Sequence, residues 1–205
     1  MNPHRADQPL TAKGRATKSR LLAAARDALR DRGTVEIAEV AAAAGVAQSV
    51  IHRYFVNKAG LVEAVVNDFY DSYDEAVFLA PLAPTASWFE REQLRITLEV
   101  AFLYDHPLGP RVAAGLVHEA AATRIDAERQ RAHAAMAARN IRRGQQAGEL
   151  PAHVNADLAG AAIIGALRSV LAVALSLAEP PSRGEVAETV TRLSRAVLQD
   201  PSTPP

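Results

Sequence analysis

Between Val35 and Phe55 the sequence reads VEIAEVAAAAGVAQSVIHRYF, two short apolar-patterned segments divided by one glycine. Ile37, Val40, Ala41 and Ala44 share one face of a first helix spanning about Val35–Ala44. Gly45 is the residue able to take a left-handed C-terminal cap. Val46, Ile51 and Phe55 then supply the packing side of a second helix, Ala47–Phe55. Ala41 and Ala44 are small enough to let the two helices approach closely. Few folds accommodate such a pair: it is a helix-turn-helix arrangement or a generic helical hairpin. The outward face of the second helix carries Gln48, Ser49, His52 and Arg53, with Val50 and Tyr54 at its margins. Gln and Arg can bond base edges bidentately, Ser can reach a base or a phosphate, and a Val methyl can meet a thymine methyl. On spacing alone, the same face could equally be a solvated one.

The rest of the chain is punctuated in the same way. Residues 1–16, with Pro3, Pro9 and Gly14 among basic and polar neighbours, read as a flexible basic arm. Leu21, Leu22, Ala25, Ala28 and Leu29 predict a helix over Thr17–Arg32, stopped by Gly33. A fourth helix starts at Lys58 and runs to about Leu79, before Pro81 and Pro84. Ser87-Trp88-Phe89-Glu90 has the form of a capping box and opens a fifth helix that ends before His106-Pro107. Further helices are expected over about Pro110–Ala122 and Asp126–Gln146. Another runs from the Asn155 cap to about Ala178, and the last from Ser182 to Gln199. Ala accounts for 43 of the 205 residues and no strand pattern is convincing, so the fold class is all-α with nine helices. The division is a helix-turn-helix head at 17–60, a helical body at 61–200 and a disordered tail at 201–205.

Charge separates the same two parts. Residues 1–60 carry ten Lys/Arg against five Asp/Glu, whereas residues 61–205 carry thirteen against eighteen. A basic head on an acidic body suits a polyanion at the head. The chain has no Cys, which excludes disulfides, zinc fingers and thiol catalysis. No apolar run follows the basic N-terminus, so a secretory signal is not expected and the cytoplasm is the default compartment. Ala159–Ala178 is long enough to cross a bilayer, but Arg168 lies at its centre and no aromatic anchors flank it. It reads as a buried helix shared between core and subunit interface. No His-Glu-x-x-His motif, nucleophile elbow or phosphate loop occurs, so neither an enzyme nor a cofactor is expected. A metal sensor built on His118 and His133 is the remaining alternative of that kind.

The stretch VAAAAGVAQSVIHRYFVNKAGLVEAVV (residues 40–66) resembles the N-terminal signature of the tetracycline-repressor (TetR) family. Val40-Ala41 match its Ile-Ala-like pair, Gly45-Val46 its turn, Tyr54-Phe55 its aromatic end, and Lys58 and Leu61 the opening of its fourth helix. Leu21, Ala25, Leu29 and Gly33 fall on first-helix positions, so the resemblance covers about residues 17–66. It implies a DNA interface of Thr34, Ala47, Gln48, Ser49, Val50, His52, Arg53, Tyr54 and Lys58. Gln48 and Arg53 would read bases, and His52, Tyr54 and Lys58 would hold phosphates. Two departures stand out. Ala47 replaces the usual Ser/Thr and forfeits an N-cap worth ~1 kcal/mol, and His52 stands where the family has Tyr. The loop after Gly33 is also about two residues short.

For the body, the later stretch GELPAHVNADLAGAAIIGAL also resembles the run leading into the family's dimerisation helix. The resemblance implies a homodimer and a pocket for a small-molecule effector. Aromatic and polar candidates for that pocket are Phe69, Tyr73, Trp88, Phe102, Tyr104, His118, Met136 and Asn140. Arg168 would meet a ligand carboxylate or pair with an acidic neighbour. Because the eighth helix has no polar face, the expected dimer interface comprises Gly160, Ala161, Ile164, Gly165, Leu171, Leu175, Val190, Leu193 and Val197. The implied function is a transcriptional regulator, a repressor released from a palindromic operator by its ligand. The alternative is a constitutive or activating DNA-binding dimer without an inducer.

Overall fold

A computed structural model of the chain describes residues 11–82, 87–115 and 117–198. Among these residues there are nine α-helices and no strand. They are α1 (Ala12–Arg32), α2 (Ile37–Ala43), α3 (Gln48–Ile51), α4 (Lys58–Val77), α5 (Trp88–Asp105), α6 (Gly109–Ala113), α7 (Ala120–Gln146), α8 (Ala156–Ser176) and α9 (Arg183–Leu198).

The head is α1–α3 with the first turns of α4. Leu21, Leu29 and Ile51 are completely buried, together with Val40, Ala41, Ala44 and Phe55, against Leu61 and Val62 of α4. Each large side chain removed from water in this way contributes roughly 1.5–3 kcal/mol. The α2–α3 turn closes as the sequence predicts. Gly45 adopts φ 66°, its N–H donates to Ala42 O and the Val46 N–H donates to Ala41 O. That pairing is the Schellman arrangement, in which a left-handed residue returns two N–H groups to the last carbonyls of the helix.

Boundaries differ from expectation at three places. Helix α1 begins at Ala12, because the Thr11 hydroxyl accepts the Gly14 N–H at 3.1 Å and caps it. Residues 12–16 are therefore helical and not part of a flexible arm, and residues 1–10 and 199–205 lie outside the described residues. Helix α3 ends at Ile51 and the chain tightens into i→i+3 turns, Arg53 N–H to Val50 O and Tyr54 N–H to Ile51 O. Ala47 has no side chain to cap the first turn, in line with this short helix. Helix α6 stops at Ala113, ahead of Gly115 with φ 65°, and α7 starts six residues earlier than expected, at Ala120.

In the body, α7 and α8 pack along much of their length. Gly160 makes this possible: a Cβ there would lie 2.8 Å from Ala138 N and 2.9 Å from Ala134 O. Gly160, expected at a subunit interface, is thus occupied by α7 of its own chain. Leu171 and Val190 are likewise completely buried within the protomer. What α8 and α9 leave outside is a different set. Leu158, Ala161, Gly165, Val173 and Leu177 on α8 and its end are exposed, as are Leu193 and Val197 on α9, while Ile164 and Leu175 are half-buried. Helix α8 is the one helix among the described residues long and apolar enough to cross a membrane, and one third of its most apolar window is buried in the fold.

Candidate nucleic-acid interface and body cavities

The α3 face is built as its sequence requires. Ile51 and Phe55 anchor it in the head core, which turns Gln48, Ser49, His52 and Arg53 outward, with Val50 and Tyr54 half-buried at the edges. Among the described residues none of the four exposed side chains has a hydrogen-bond or ion-pair partner, so their donors are free for a ligand. Ala47 is exposed at the start of this face. Thr34 and Lys58 are placed otherwise. Thr34 is half-buried in the α1–α2 loop, and the backbone on either side of it is bonded to the body. Lys58 is half-exposed and its ammonium lies 3.0 Å from Glu119 and 3.5 Å from Glu36. Chiefly its bond to Glu119 raises the pKa of Lys58.

Among the described residues, three sets of polar contacts outside α4 join head to body. The Glu119 carboxylate, mostly buried ahead of α7, accepts the N–H of fully buried Val35 at 2.9 Å as well as the Lys58 ammonium. The His118 N–H donates to Gly33 O at 2.8 Å. From α6, the Arg111 guanidinium donates to Arg30 O (2.7 Å) and Asp31 O (2.6 Å). These are orphan carbonyls in the last turn of α1, the negative end of its dipole. Neither Arg111 nor Glu119 was expected from sequence. Each is a single charged residue among mostly apolar neighbours, and its backbone partners in the head lie eighty or more residues away.

Among the described residues, three adjoining cavities lie in the body between α4, α5, α6, α7 and α8. The first, about 230 Å³, lies between the end of α4, α5, α7 and α8; Arg95, Arg139 and Arg143 line it together with Met136, Asn140 and Glu99. The second, about 30 Å³, shares Glu99, Ile164 and Leu167 with the first and adds Phe69, Tyr73 and His133. The third, about 140 Å³, shares Tyr70, Val112 and Arg168 with the second and reaches Arg111, Gly115 and Val117 beside the head.

Polar groups among these cavities are arranged in pairs. The carboxylate of Asp126 receives Arg168 bidentately at 2.8 and 2.7 Å and the Tyr70 hydroxyl as well. Asp74 receives Arg129 at 2.8 Å and lies 2.7 Å from Nε2 of His133, whose pKa is lowered by burial. Glu99 is buried with the Tyr73 hydroxyl as its partner, and desolvation pushes its pKa up to about 8. It is therefore a neutral acid at pH 7. Glu92 accepts from Arg95 at 3.3 Å and from Asn140 at 3.2 Å. Among the described residues no three His, Asp or Glu side chains are grouped as a metal ion would need.

Of the side chains expected to line a pocket, Phe69 and Tyr73 border the second cavity, Met136 and Asn140 the first, and Arg168 the second and third. Arg168 takes the acidic-neighbour alternative, held by Asp126. Four others lie outside these cavities. Trp88 is buried against Ile141 and Leu150, its indole N–H donating to Asn140 O at 3.2 Å. Phe102 packs between Phe69, Tyr73 and His106. Tyr104 bonds Pro181 O across to the α9 side, and His118 is exposed in the α6–α7 loop. Arg95, Arg139, Arg143 and Glu99 were missed. Arg139 and Arg143 did carry a signal: they form a like-charged i,i+4 pair with no acidic residue three or four positions away on α7.

Comparison with known proteins bears on both parts. Residues 21–65 match the profile of bacterial regulatory proteins of the tetR family. No curated protein sequence matches the chain. Among solved structures, a TetR-family transcriptional regulator from a Rhodococcus species is similar with TM-score 0.74 and 18% identity, over 88% of this chain and 98% of that one. SmeT, the repressor of the Stenotrophomonas maltophilia multidrug efflux pump SmeDEF, is similar with TM-score 0.72 and 15% identity, over 93% and 96%. The transcriptional regulator FadR of Bacillus subtilis, solved with stearoyl-CoA, gives TM-score 0.69 and 17% identity, over 88% and 99%.

Proposed function

Because residues 21–65 match the profile of bacterial regulatory proteins of the tetR family, on a body with the fold of solved TetR-family regulators, we propose that this chain is a homodimeric repressor. It binds a palindromic operator and leaves it when a small molecule occupies the body. The observation that carries the reading is the α3 face, where Gln48, Ser49, His52 and Arg53 are exposed, without partners among the described residues, and fixed from beneath by Ile51 and Phe55. Gln48 and Arg53 are assigned to base edges, with Ser49 and Val50 beside them, and His52 and Tyr54 to phosphates. For Lys58 a phosphate has to displace Glu119 and Glu36, so its contact with DNA is coupled to the head–body junction.

The dimer uses the exposed part of α8 and α9. Ala161, Gly165, Val173, Leu177, Leu193 and Val197 are exposed apolar residues of these two helices that a second copy would remove from water. Covering α8 in that way, and pairing Arg168 with Asp126, makes it a core and interface helix of a cytoplasmic protein. Release requires a ligand that favours a body conformation with recognition helices moved off the ~34–36 Å spacing of one DNA turn. A ~100-fold preference for that conformation supplies about 2.7 kcal/mol per site.

The test is a mobility shift on duplexes selected by the full chain from a random pool. A palindromic consensus is expected. Gln48→Ala should cost about 1–3 kcal/mol on that consensus and much less on random DNA. Equal losses on both would remove base reading from α3. A chain that binds its consensus with no ligand affecting it would be a constitutive DNA-binding dimer.

A further inference from the structure

The three body cavities form a series and not a single pocket. The first and second meet at Glu99, Ile164 and Leu167, and the second and third at Tyr70, Val112 and Arg168. Along α7 the series runs from Arg143 and Arg139 through His133 to Thr123. Arg139 and Thr123 are sixteen residues apart on that helix, or ~24 Å at 1.5 Å per residue.

The two ends differ in chemistry. At the first, Arg139 and Arg143 are exposed, stand one helical turn apart and have no partner among the described residues. Like charges at i,i+4 destabilise a helix, and no acidic side chain among the described residues pairs with either. The other charges of this cavity are largely offset: Arg95 is paired with Glu92, and burial keeps the Glu99 carboxyl mostly protonated at pH 7. The entrance therefore carries two uncompensated positive charges over walls of Leu79, Met136, Ile163 and Ile164. At the far end the third cavity touches Arg111, whose guanidinium holds the carbonyls closing α1. The middle cavity, at about 30 Å³, has room for a water molecule or two. As it stands it has no room for a ring, and a methylene chain crossing it would require Leu167 or Ile164 to shift.

Resting on the reading of the body as an effector site, we propose that the effector is an amphiphile with an anionic head and a long unbranched apolar tail. The head is held by Arg139 and Arg143, and the tail runs past Glu99 and Leu167 into the third cavity. Length then separates binding from release. A short tail occupies the first cavity alone. A long tail reaches the walls around Val112 and Arg111 and disturbs the tie to α1.

The experiment uses the full chain and its selected duplex, with binding followed by calorimetry and release by fluorescence anisotropy. The probes are hexanoate, palmitate, palmitoyl-CoA and hexadecyltrimethylammonium, below their micellar concentrations. Palmitate or palmitoyl-CoA should bind and release DNA, and which of the two is stronger tells whether a carboxylate or a phosphorylated head is the source. Hexanoate should bind weakly without release, and the cationic amphiphile should bind neither well nor productively. The double variant Arg139→Glu/Arg143→Glu alters exposed side chains alone. It should weaken the anionic long-chain probe about tenfold or more while leaving DNA affinity unchanged. Leu167→Trp should keep anion binding and lose release; should it fail to fold, the tail-length series on the unaltered chain decides.

Equal binding of the cationic and anionic probes, an unchanged affinity in the double variant, or long-tail binding without release would each overturn the proposal. Should a different class of small molecule release the DNA while palmitate and palmitoyl-CoA do not, this inference fails and the repressor reading stands. If no duplex is selected, the repressor reading fails, and the calorimetric charge preference still decides the binding site.

Discussion

Glu119 is where a single substitution tests how the head is held. Its carboxylate has two partners of unequal worth: the N–H of Val35, which is completely buried, and the ammonium of Lys58, which is half-exposed. Glu119→Ala strands the Val35 N–H without an acceptor, a loss of about 1–3 kcal/mol. The Lys58 pair adds at most ~1 kcal/mol, because solvent screens it and Glu36 remains as a second partner. The sum is about 1–4 kcal/mol. At roughly 2–4 °C per kcal/mol for a domain of this size, Tm should fall by about 2–16 °C. Glu119→Gln keeps an oxygen to accept the Val35 N–H and loses the charge alone, so its Tm should fall by no more than ~4 °C. Thermal unfolding followed by far-ultraviolet circular dichroism, at one fixed protomer concentration, separates the two. Equal losses in both variants would mean that the ion pair dominates. No loss in Glu119→Ala would show that the junction is not held through Val35.

Two further outcomes follow from burial. The folded pKa of Glu99, about 8, exceeds its ordinary 4.5, so the native state binds this proton more tightly than the unfolded one. Its contribution is complete below pH 4.5 and is lost as pH rises toward 8. Urea midpoints of the chain should therefore fall over that interval relative to those of Glu99→Gln, and parallel profiles would refute the buried neutral acid. On the outer face of α8, Val173 is 62% exposed, so Val173→Glu should leave the protomer folded while breaking its self-association. Sedimentation at micromolar concentration should give the single-chain mass, and an unchanged dimer would place the interface elsewhere.

The parts legible in the sequence are those set by local chemistry. Gly45, the Ser87 and Asn155 caps and the apolar spacing of Leu21, Ala25 and Leu29 each act within a few residues, and the helices they predict are present. The α3 face was legible for the same reason, since Ile51 and Phe55 fix which side turns out. Tertiary partners were not. Gly160 and Leu171 looked like interface residues because α8 is apolar all round, and no local signal says which side α7 covers. Trp88 and Tyr104 have the composition of pocket walls, but filling a gap in the core needs the same aromatics. The start of α1 is obscured in the sequence because Gly14 reads as a loop residue, whereas the cap that decides is Thr11.

The junction also bears on how this chain can be recombined with others. An exchange of heads by a cut within α4 would carry over one of the attachments between the two parts, the continuous helix itself. The others belong to pairs divided by the cut: Arg111 with the end of α1, and the His118-Glu119 step with Gly33, Val35 and Lys58. A hybrid lacking them would join two folded halves by a single rod, and a change in the body would no longer reach the head through these contacts. Transplanting Arg111 and Glu119 along with the head is the smallest graft that moves the conversation as well as the reader.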